Sequence, residues 1–296
     1  MKILVTGANG FVGQHLTIFL AGKHNIFAAS RGECRIPRKY NFDFFSVDLI
    51  EKKNIEALLA ATNPDVIIHT AAMSKPDECE NDKEKCLLHN VGATKTLLQA
   101  LITKGGKKKF IFISTDFVFG ENGPHAENAT PDPLNFYGES KLLAEQEVKK
   151  NGVDYAIIRP VFIYGESWHG LRPSFLHWVK NNLERKNTIK VVGDQKRTPT
   201  FVNDLCKGIE SIINLNKSGE WHFAGKDILS PFEMAETVSK VLKLDSSLIE
   251  EVSSDTFIEP VKRAKHSGLL IDKAIKETGY CPVSFEEGVK LTFFGI

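Results

Sequence analysis

Short runs of apolar, β-branched residues alternate with longer segments of helical periodicity through the first half of the chain. Such strands are buried on both faces, and their alternation with helices predicts a parallel sheet covered by helices on each side. The sequence therefore predicts an α/β, doubly wound fold. The predicted strands lie near residues 2–6, 25–29, 44–47, 65–69, 109–113 and 154–158, and the predicted helices near 11–22, 52–62, 80–104 and 136–150.

The pattern changes after about residue 160, where the irregular, aromatic stretch "GESWHGLRPSFLHWV" begins. A helix near 174–184, a strand near 189–192 and a helix near 204–215 follow it. We expect a dinucleotide-binding domain over residues 1–160, to which residues 195–220 return. We expect residues 161–296 to form mainly a smaller, mixed substrate-binding region that packs on the first part and forms a cleft with it.

Composition excludes several classes of function. A net charge of +1 gives no strong attraction to nucleic acid or to an anionic membrane surface. No apolar stretch approaches the roughly 18 residues of a membrane span. The 5 cysteines form no C-x-x-C pair, which suits free thiols in a cytoplasmic protein. His69, His89 and His222 lack ligand spacing, so we predict no metal site.

The stretch "TGANGFVG", residues 6–13, follows the first predicted strand and opens the first helix. Gly7, Gly10 and Gly13 form the pattern G-x-x-G-x-x-G in the setting that dinucleotide binding requires. Glycines permit a tight turn and a close approach to a pyrophosphate, which the N-terminus of the helix attracts. The sequence therefore predicts a Rossmann-type cofactor site.

The ends of the next two strands bear on which cofactor binds. "AASRG" places Ser30 and Arg31, and no acid, where the adenosine ribose is expected. Arg31 can pair with a 2′-phosphate, so NADPH is favoured, and NADH stays open. Asp48, in "SVDL", can accept a hydrogen bond from the adenine amino group beside Leu49, and it can equally cap a helix.

A hydroxyl, a phenol and an ammonium group are candidates for the chemistry. Ser114 and Thr115 end the fifth predicted strand, and Tyr137 and Lys141 in "NFYGESK" share one face of a helix. Spacing alone also fits a buried aromatic residue beside a surface charge. Near a nicotinamide, however, this set can orient a carbonyl oxygen, donate a proton to it and stabilise the phenolate.

The chain resembles the extended short-chain dehydrogenases/reductases that act on nucleotide sugars. The resemblance rests on "TGANGFVG", "NPDVIIHTAA", "HNVGAT", "PLNFYGESKLLAE" and "IIRPVFIYG". Within that group it is most similar to the dTDP-4-dehydrorhamnose reductases, in "STDFVF", "DQKRTPTFVNDL" and "RAKHSGL". The resemblance implies an NADPH-dependent oxidoreductase that reduces the C4 carbonyl of a dTDP-4-keto-6-deoxy sugar in dTDP-L-rhamnose and polysaccharide biosynthesis. The sequence does not decide whether the chain forms a homodimer.

The resemblance also implies residue roles. Thr115, Tyr137 and Lys141 match the catalytic residues of the family. The implied cofactor contacts are Gly7, Gly10, Phe11, Val12, Asp48, Leu49, Ala71, Ala72, Met73, Asn90, Pro160 and Val161, with Tyr137 and Lys141. On the substrate side we consider Ser114 and Asp116. Trp168 fits a base-stacking pocket or a core, and Arg197 fits a diphosphate contact or a surface ion pair.

Two alternatives remain at the level of sequence. An epimerase or 4,6-dehydratase would keep its cofactor bound, but a dehydratase would carry an Asp-Glu pair after Thr115, where this chain has Asp116 alone. A non-catalytic, NADP-binding regulatory subunit, like the β subunit of methionine adenosyltransferase, shares similar sequence signatures. The pair Tyr137 and Lys141 does not separate it from a reductase, whereas turnover would.

Overall fold

A central parallel sheet organises the chain. The computed structural model describes residues 1–37, 40–105, 108–168, 170–171, 173–257 and 260–295. The strands in these residues are β1 (Lys2–Thr6), β2 (Asn25–Ser30), β3 (Asp43–Ser46), β4 (Val66–His69), β5 (Lys109–Ile113), β6 (Asp154–Arg159), β7 (Ile163–Tyr164), β8 (Ile189–Val192), β9 (Thr200–Phe201), β10 (Gly219–His222) and β11 (Ile249–Val252). Seven form one sheet in the order β10-β6-β5-β4-β1-β2-β3, with all pairs parallel. The predicted doubly wound α/β class is confirmed.

Helices cover both faces of this sheet, and further helices belong to the smaller region beside it. They are α1 (Phe11–Ala21), α2 (Lys52–Thr62), α3 (Pro76–Asn81), α4 (Lys83–Leu87), α5 (Ala93–Lys104), α6 (Phe136–Lys150), α7 (Phe175–Glu184), α8 (Val202–Asn214), α9 (Pro231–Leu242), α10 (Asp272–Thr278) and α11 (Phe285–Phe294). Successive residues of β1 point to opposite faces of the sheet, so each face has its own apolar core. Ile3 and Val5 belong to a core with α1 and α8, whereas Leu4 belongs to a core with α2, α5 and α6.

The predicted helical segment near residues 80–104 is helical from 83 to 104, but it is broken at Asp82 and is not one uniform α-helix. Asp82 leaves the helical conformation at φ −139°, ends α3, and caps α4 by accepting a hydrogen bond from the Lys85 amide at 3.0 Å. A π-helical turn, Leu88–Gly92, then separates α4 from α5. Such turns are concentrated at functional sites, and this one carries Asn90.

The chain returns to the large sheet late in its course. β10 pairs with β6 at the sheet edge, and α8 packs against α1. Residues of α7, α9, α11, β8 and β11 form a separate apolar core. The sequence pattern missed β7, β9, β10 and β11 because these strands have only 2 or 4 residues and little apolar periodicity. Among the described residues, no helix is both long and apolar enough to cross a bilayer.

A buried ion pair joins α6 to β6. Glu145 is fully buried and Arg159 is 2% exposed. The guanidinium donates two hydrogen bonds to the carboxylate, Nε to Oε1 at 2.9 Å and Nη2 to Oε2 at 2.6 Å. It also lies over the ring of Phe119, at 5.0 Å from the centroid. This geometry satisfies both charges within the core.

We expect Glu145→Ala to lower the free energy of unfolding by about 3–5 kcal/mol, because it leaves the Arg159 charge buried without a partner. Urea unfolding monitored by circular dichroism measures this loss. Glu56→Ala is the matched control, since Glu56 pairs with Lys52 at 3.7 Å on the exposed face of α2 and such pairs contribute little. Equal losses in the two variants would contradict the prediction.

Candidate functional site

A cleft of about 930 Å³ lies at the carboxyl ends of the central strands. Ligands of open α/β sheets bind at this edge, and the volume falls in the range of ligand sites. The sequence-predicted residues that line it are Gly7, Gly10, Phe11, Val12, Gly13, Arg31, Asp48, Leu49, Ala71, Ala72, Met73, Ser114, Thr115, Asp116, Tyr137, Lys141, Pro160, Val161 and Arg197. Asn90 and Trp168 are not among its lining residues.

A second, more open cavity of about 680 Å³ lies near the amino ends of β1 and β2. Lys2, His24 and Asp65 are among its lining residues. It contains neither the glycine loop nor the hydroxyl residues singled out from the sequence. The cleft at the carboxyl edge is therefore the candidate site.

The glycine loop shapes one wall of the cleft. Gly7 has φ +71°, and a Cβ there would lie 2.5 Å from the Ala71 backbone nitrogen. A Cβ on Gly13 would lie 2.3 Å from the Gly7 carbonyl oxygen, so α1 can approach β1 only with glycine at this position. Gly10 precedes α1 as its cap residue, and the first N–H groups of α1 are thus available to an anion. This backbone fits a pyrophosphate.

Asn90 braces the cleft from behind. Its Oδ1 accepts a hydrogen bond from the Met73 amide at 2.7 Å. Its Nδ2 donates to the Met73 carbonyl at 3.1 Å and to the Ser140 hydroxyl at 2.9 Å. The π-helical turn therefore fixes the segment after β4 against α6. Asn90 supports lining residues rather than lining the cleft itself.

The end of the cleft beyond β2 and β3 contains Ser30, Arg31, Asp48 and Leu49. The Asp48 carboxylate accepts a hydrogen bond from the Ile50 amide at 3.2 Å. It does not cap α2, because Glu51 occupies that position. Asp48 thus forms a local turn and also faces the cleft.

Thr115, Tyr137 and Lys141 all line the cleft, and the Thr115 hydroxyl is hydrogen-bonded to the Tyr137 phenol. The Lys141 ammonium donates a hydrogen bond to the Ile113 carbonyl at 2.7 Å and lies 4.0 Å from the centroid of the Phe112 ring. Asn135 caps α6 by accepting a hydrogen bond from the Gly138 amide at 3.0 Å. A Cβ on Gly138 would lie 2.1 Å from the Phe117 carbonyl oxygen. α6 therefore begins in direct backbone contact with the turn that follows β5.

Burial sets the protonation of these groups. It lowers the pKa of Lys141 to about 7, an effect that the Glu145 carboxylate opposes. Burial raises the pKa of Tyr137, and a hydrogen bond with the Thr115 hydroxyl opposes that rise. The phenol therefore holds its proton at neutral pH. It is poised to act as a proton donor.

The polar residues Ser114, Asp116 and Arg197 line the same cleft. The buried Ser114 hydroxyl has no hydrogen-bond partner among the described residues. Burial raises the pKa of Asp116 to about 6, against the attraction of the Arg197 guanidinium. Phe162, which the sequence reasoning did not single out, lines the cleft with φ +38°. Strained backbone of this kind is concentrated at functional sites.

Trp168 lies apart from these residues. Its ring stacks on that of His15, with 4.1 Å between the centroids. His15 lies in α1, and its Nε2 is 2.9 Å from the Glu166 carbonyl oxygen. Trp168 is half-buried and packs against α1, and it is not among the residues of the apolar core of α7, α9 and α11.

Other residues in or near the cleft could not be identified from their spacing in the sequence. Arg263 lines it, and its Nη2 donates to the Asp77 carboxylate at 3.2 Å. Lys85 and His89 line the end near Arg31. The thiols of Cys79 and Cys86, read from the sequence as ordinary, lie in an apolar cluster with Tyr137. The Cys79 thiol donates a hydrogen bond to the Met73 carbonyl at 3.3 Å, and the Cys86 sulfur accepts one from Asn90 at 3.4 Å. Their contacts depend on the break between α3 and α4, which no motif marks.

Comparisons with known proteins agree with this geometry. The family model described as "RmlD substrate binding domain" matches residues 1–294. The dTDP-4-dehydrorhamnose reductase of Bacillus anthracis, solved in complex with NADP, has a TM-score of 0.84 at 27% identity, with 100% of both chains covered. The predicted resemblance is confirmed.

Two curated relatives differ in their described roles. The spore coat polysaccharide biosynthesis protein SpsK of Bacillus subtilis is 27% identical over 98% of this chain and 95% of its own length. The methionine adenosyltransferase 2 subunit beta of Danio rerio is 29% identical over 83% of this chain and 75% of its own length. Similarity therefore extends to a biosynthetic protein and to a subunit of another enzyme.

The burial of Lys141 predicts how stability changes with pH. Its pKa is about 7 in the folded chain and near its ordinary value of about 10.4 in the unfolded chain. Between these values the unfolded chain binds more protons, so the free energy of unfolding rises with pH. We expect the stability of wild type relative to Lys141→Met to rise between about pH 7 and 9, by at most about 1.4 kcal/mol per unit.

Urea titrations of both proteins across this range measure the difference, and groups common to both cancel. Lys95→Met is the control because Lys95 lies on the exposed face of α5. A wild-type curve parallel to that of Lys141→Met would mean that Lys141 stays charged when it is buried.

Proposed function

The chain belongs to the RmlD substrate binding domain family, and we propose that it is a reductase of keto-sugar nucleotides. Hydride goes from NADPH to the C4 carbonyl of a dTDP-4-keto-6-deoxy sugar, which gives dTDP-L-rhamnose or a close relative. One observation carries the proposal. Thr115, Tyr137 and Lys141 line the same cleft as the glycine loop.

Each of these residues has one task in the proposed reaction. Thr115 orients the substrate oxygen by hydrogen bonding. Tyr137 donates its proton to that oxygen as negative charge develops on it. Lys141 stabilises the phenolate that remains. The Ile113 carbonyl holds the ammonium in place with its 2.7 Å hydrogen bond.

The cofactor, when bound, supplies the hydride. The backbone of Gly7, Gly10 and Gly13 would hold its pyrophosphate, and Ala71, Ala72 and Met73 would contact its ribose. Pro160 and Val161 would meet the nicotinamide amide. The Thr200 hydroxyl supports this turn, because it accepts a hydrogen bond from the Val161 amide at 3.0 Å and donates to the Val161 carbonyl at 2.7 Å. Residues 1–160 with the returning segment 195–220 thus form the proposed cofactor-binding part.

The substrate would occupy the side of the cleft formed with residues 161–296. The buried Ser114 hydroxyl has no hydrogen-bond partner among the described residues, so a bound sugar would satisfy it. Arg197 and Arg263 line this side and suit an anionic nucleotide diphosphate. The B. anthracis reductase supports the choice of substrate, since its structure covers the whole of this chain.

A second candidate function is a cofactor-binding regulatory subunit. The similarity to the methionine adenosyltransferase 2 subunit beta favours it. Such a protein would bind NADPH and would not consume it with a keto-sugar nucleotide. A turnover assay separates the two candidates.

We expect wild type to oxidise NADPH with dTDP-4-dehydro-6-deoxy-L-mannose generated in situ. Tyr137→Phe should lower kcat by about 10²–10⁴-fold, because it removes the proton donor and keeps the ring. Loss of NADPH absorbance measures the rate. Binding of NADPH, measured by its fluorescence, should be similar in the two proteins.

Tyr155→Phe is the matched control, since Tyr155 lies on β6 and packs in the core shared with α2, α5 and α6. It should retain wild-type turnover. NADPH binding without turnover in wild type would refute the proposed substrate. It would direct attention to other keto-sugar nucleotides and then to a protein partner.

A further inference from the structure

One carboxylate on the substrate side of the cleft has no task in the proposed reduction. Asp116 directly follows Thr115, is buried and lines the cleft. Its amide donates a hydrogen bond to the Pro160 carbonyl at 3.2 Å. This bond ties the segment after β5 to the turn after β6, so the position of Asp116 is set by two neighbouring strands of the central sheet.

The Asp116 carboxylate is one hydrogen bond away from the groups that would hold the substrate oxygen. Its Oδ1 accepts a hydrogen bond from the Thr115 hydroxyl at 3.3 Å. The Thr115 hydroxyl is also hydrogen-bonded to the Tyr137 phenol. Thr115 thus connects a carboxylate with a proton-donating phenol in one buried network.

The surroundings of Asp116 give it the properties of a base. Burial raises its pKa to about 6, while the Arg197 guanidinium and hydrogen bonds with Thr115 and Ser267 oppose the rise. The carboxyl group is therefore largely ionised at pH 7. It can accept a proton and also return it readily, because its pKa lies near neutral pH. The Tyr137 phenol, whose pKa the Asp116 charge raises, stays neutral.

A 4-keto sugar offers such a base a proton. Its C–H groups at C3 and C5 are weakly acidic, because removal of either proton gives an enolate with its negative charge on the C4 oxygen. In the proposed reaction that oxygen lies against Thr115 and Tyr137. A base for the carbon and a hydrogen-bond donor for the oxygen are the two groups that proton abstraction beside a carbonyl requires.

We propose that this chain has a second activity, in which Asp116 exchanges a proton on the carbon next to the C4 carbonyl of the bound keto sugar. The proton passes to the Asp116 carboxylate, the C–H electron pair becomes the C=C bond of the enol, and the carbonyl oxygen takes up the Tyr137 proton. Reversal restores the ketone, so neither oxidant nor reductant is consumed. A single base returns the proton to the face from which it came, so configuration is retained. The inference rests on the proposed function, because it uses the same bound substrate.

Deuterium incorporation tests the proposal. dTDP-4-dehydro-6-deoxy-L-mannose is purified away from the enzymes that generate it and is incubated in D₂O with the full chain and NADP⁺, which cannot supply hydride. Mass spectrometry and NMR measure deuterium at C3 and C5. We expect wild type to incorporate deuterium, at a rate that rises between about pH 5 and 7 as Asp116 loses its proton.

Asp116→Asn should lower the exchange rate by at least about 10²-fold, the typical contribution of a general base. Tyr137→Phe should lower it by about 10²-fold, because it removes a donor to the developing oxyanion. Glu78→Gln is the matched control and should keep the wild-type rate. Glu78 is another carboxylate that lines the cleft, but it lies in α3 and pairs with Lys75. Calorimetric titration with NADP⁺ checks that each variant is folded.

The outcomes separate this activity from the reductase. Equal exchange in wild type and Asp116→Asn would assign the proton transfer to another group and overturn the proposal. Reduction by NADPH without exchange would also overturn it, and the reductase proposal would stand. Exchange that depends on Asp116 without any reduction would support the second activity and refute the reductase alone. Absence of both reactions would refute both.

Discussion

The hydrogen bond from the Lys141 ammonium to the Ile113 carbonyl, 2.7 Å long, fixes α6 against the end of β5. The candidate chemistry depends on this contact, because it sets the distance between the turn that carries Thr115 and the helix that carries Tyr137. Close backbone packing at Gly138 holds the same junction from the other side. The interaction costs free energy at neutral pH, since it places a cation in the protein core. The folded chain is therefore less stable at neutral pH, and in return the ammonium group is held in a fixed position.

The walls of the cleft come from distant segments, and each wall has its own support. Asn90 holds the segment after β4, Thr200 holds the turn after β6, and Asn9 holds the loop after β2. Each support is a hydrogen bond between a side chain and the backbone of a lining segment. A cleft built in this way keeps its shape while the lining side chains remain available to ligands.

Much of the fold and of the site could be predicted from local pattern. The doubly wound strands are apolar because both faces are buried, so their runs are visible in the sequence. Gly7, Thr115, Tyr137 and Lys141 lie in segments whose spacing has a physical reason, and all line the cleft. The two-residue strands could not be predicted, because their pairing joins distant segments. The break at Asp82 and the π-helical turn could not be predicted either, because they interrupt a helical pattern in which no proline marks the change. Trp168 and Phe162 show the same limit, since aromatic residues suit a core and a cleft equally well.

The sequence by itself determined the strand and helix order, the glycine loop and the pair Tyr137 and Lys141 on one helical face. These features follow from local periodicity and from conformations that glycine alone adopts without strain. Tertiary structure alone decided that Lys85 and His89 line the same cleft as Arg31, and that Cys79 and Cys86 lie beside Tyr137. The physical reason is that electrostatic and packing contacts depend on distance in space, which the break between α3 and α4 sets and no residue spacing records.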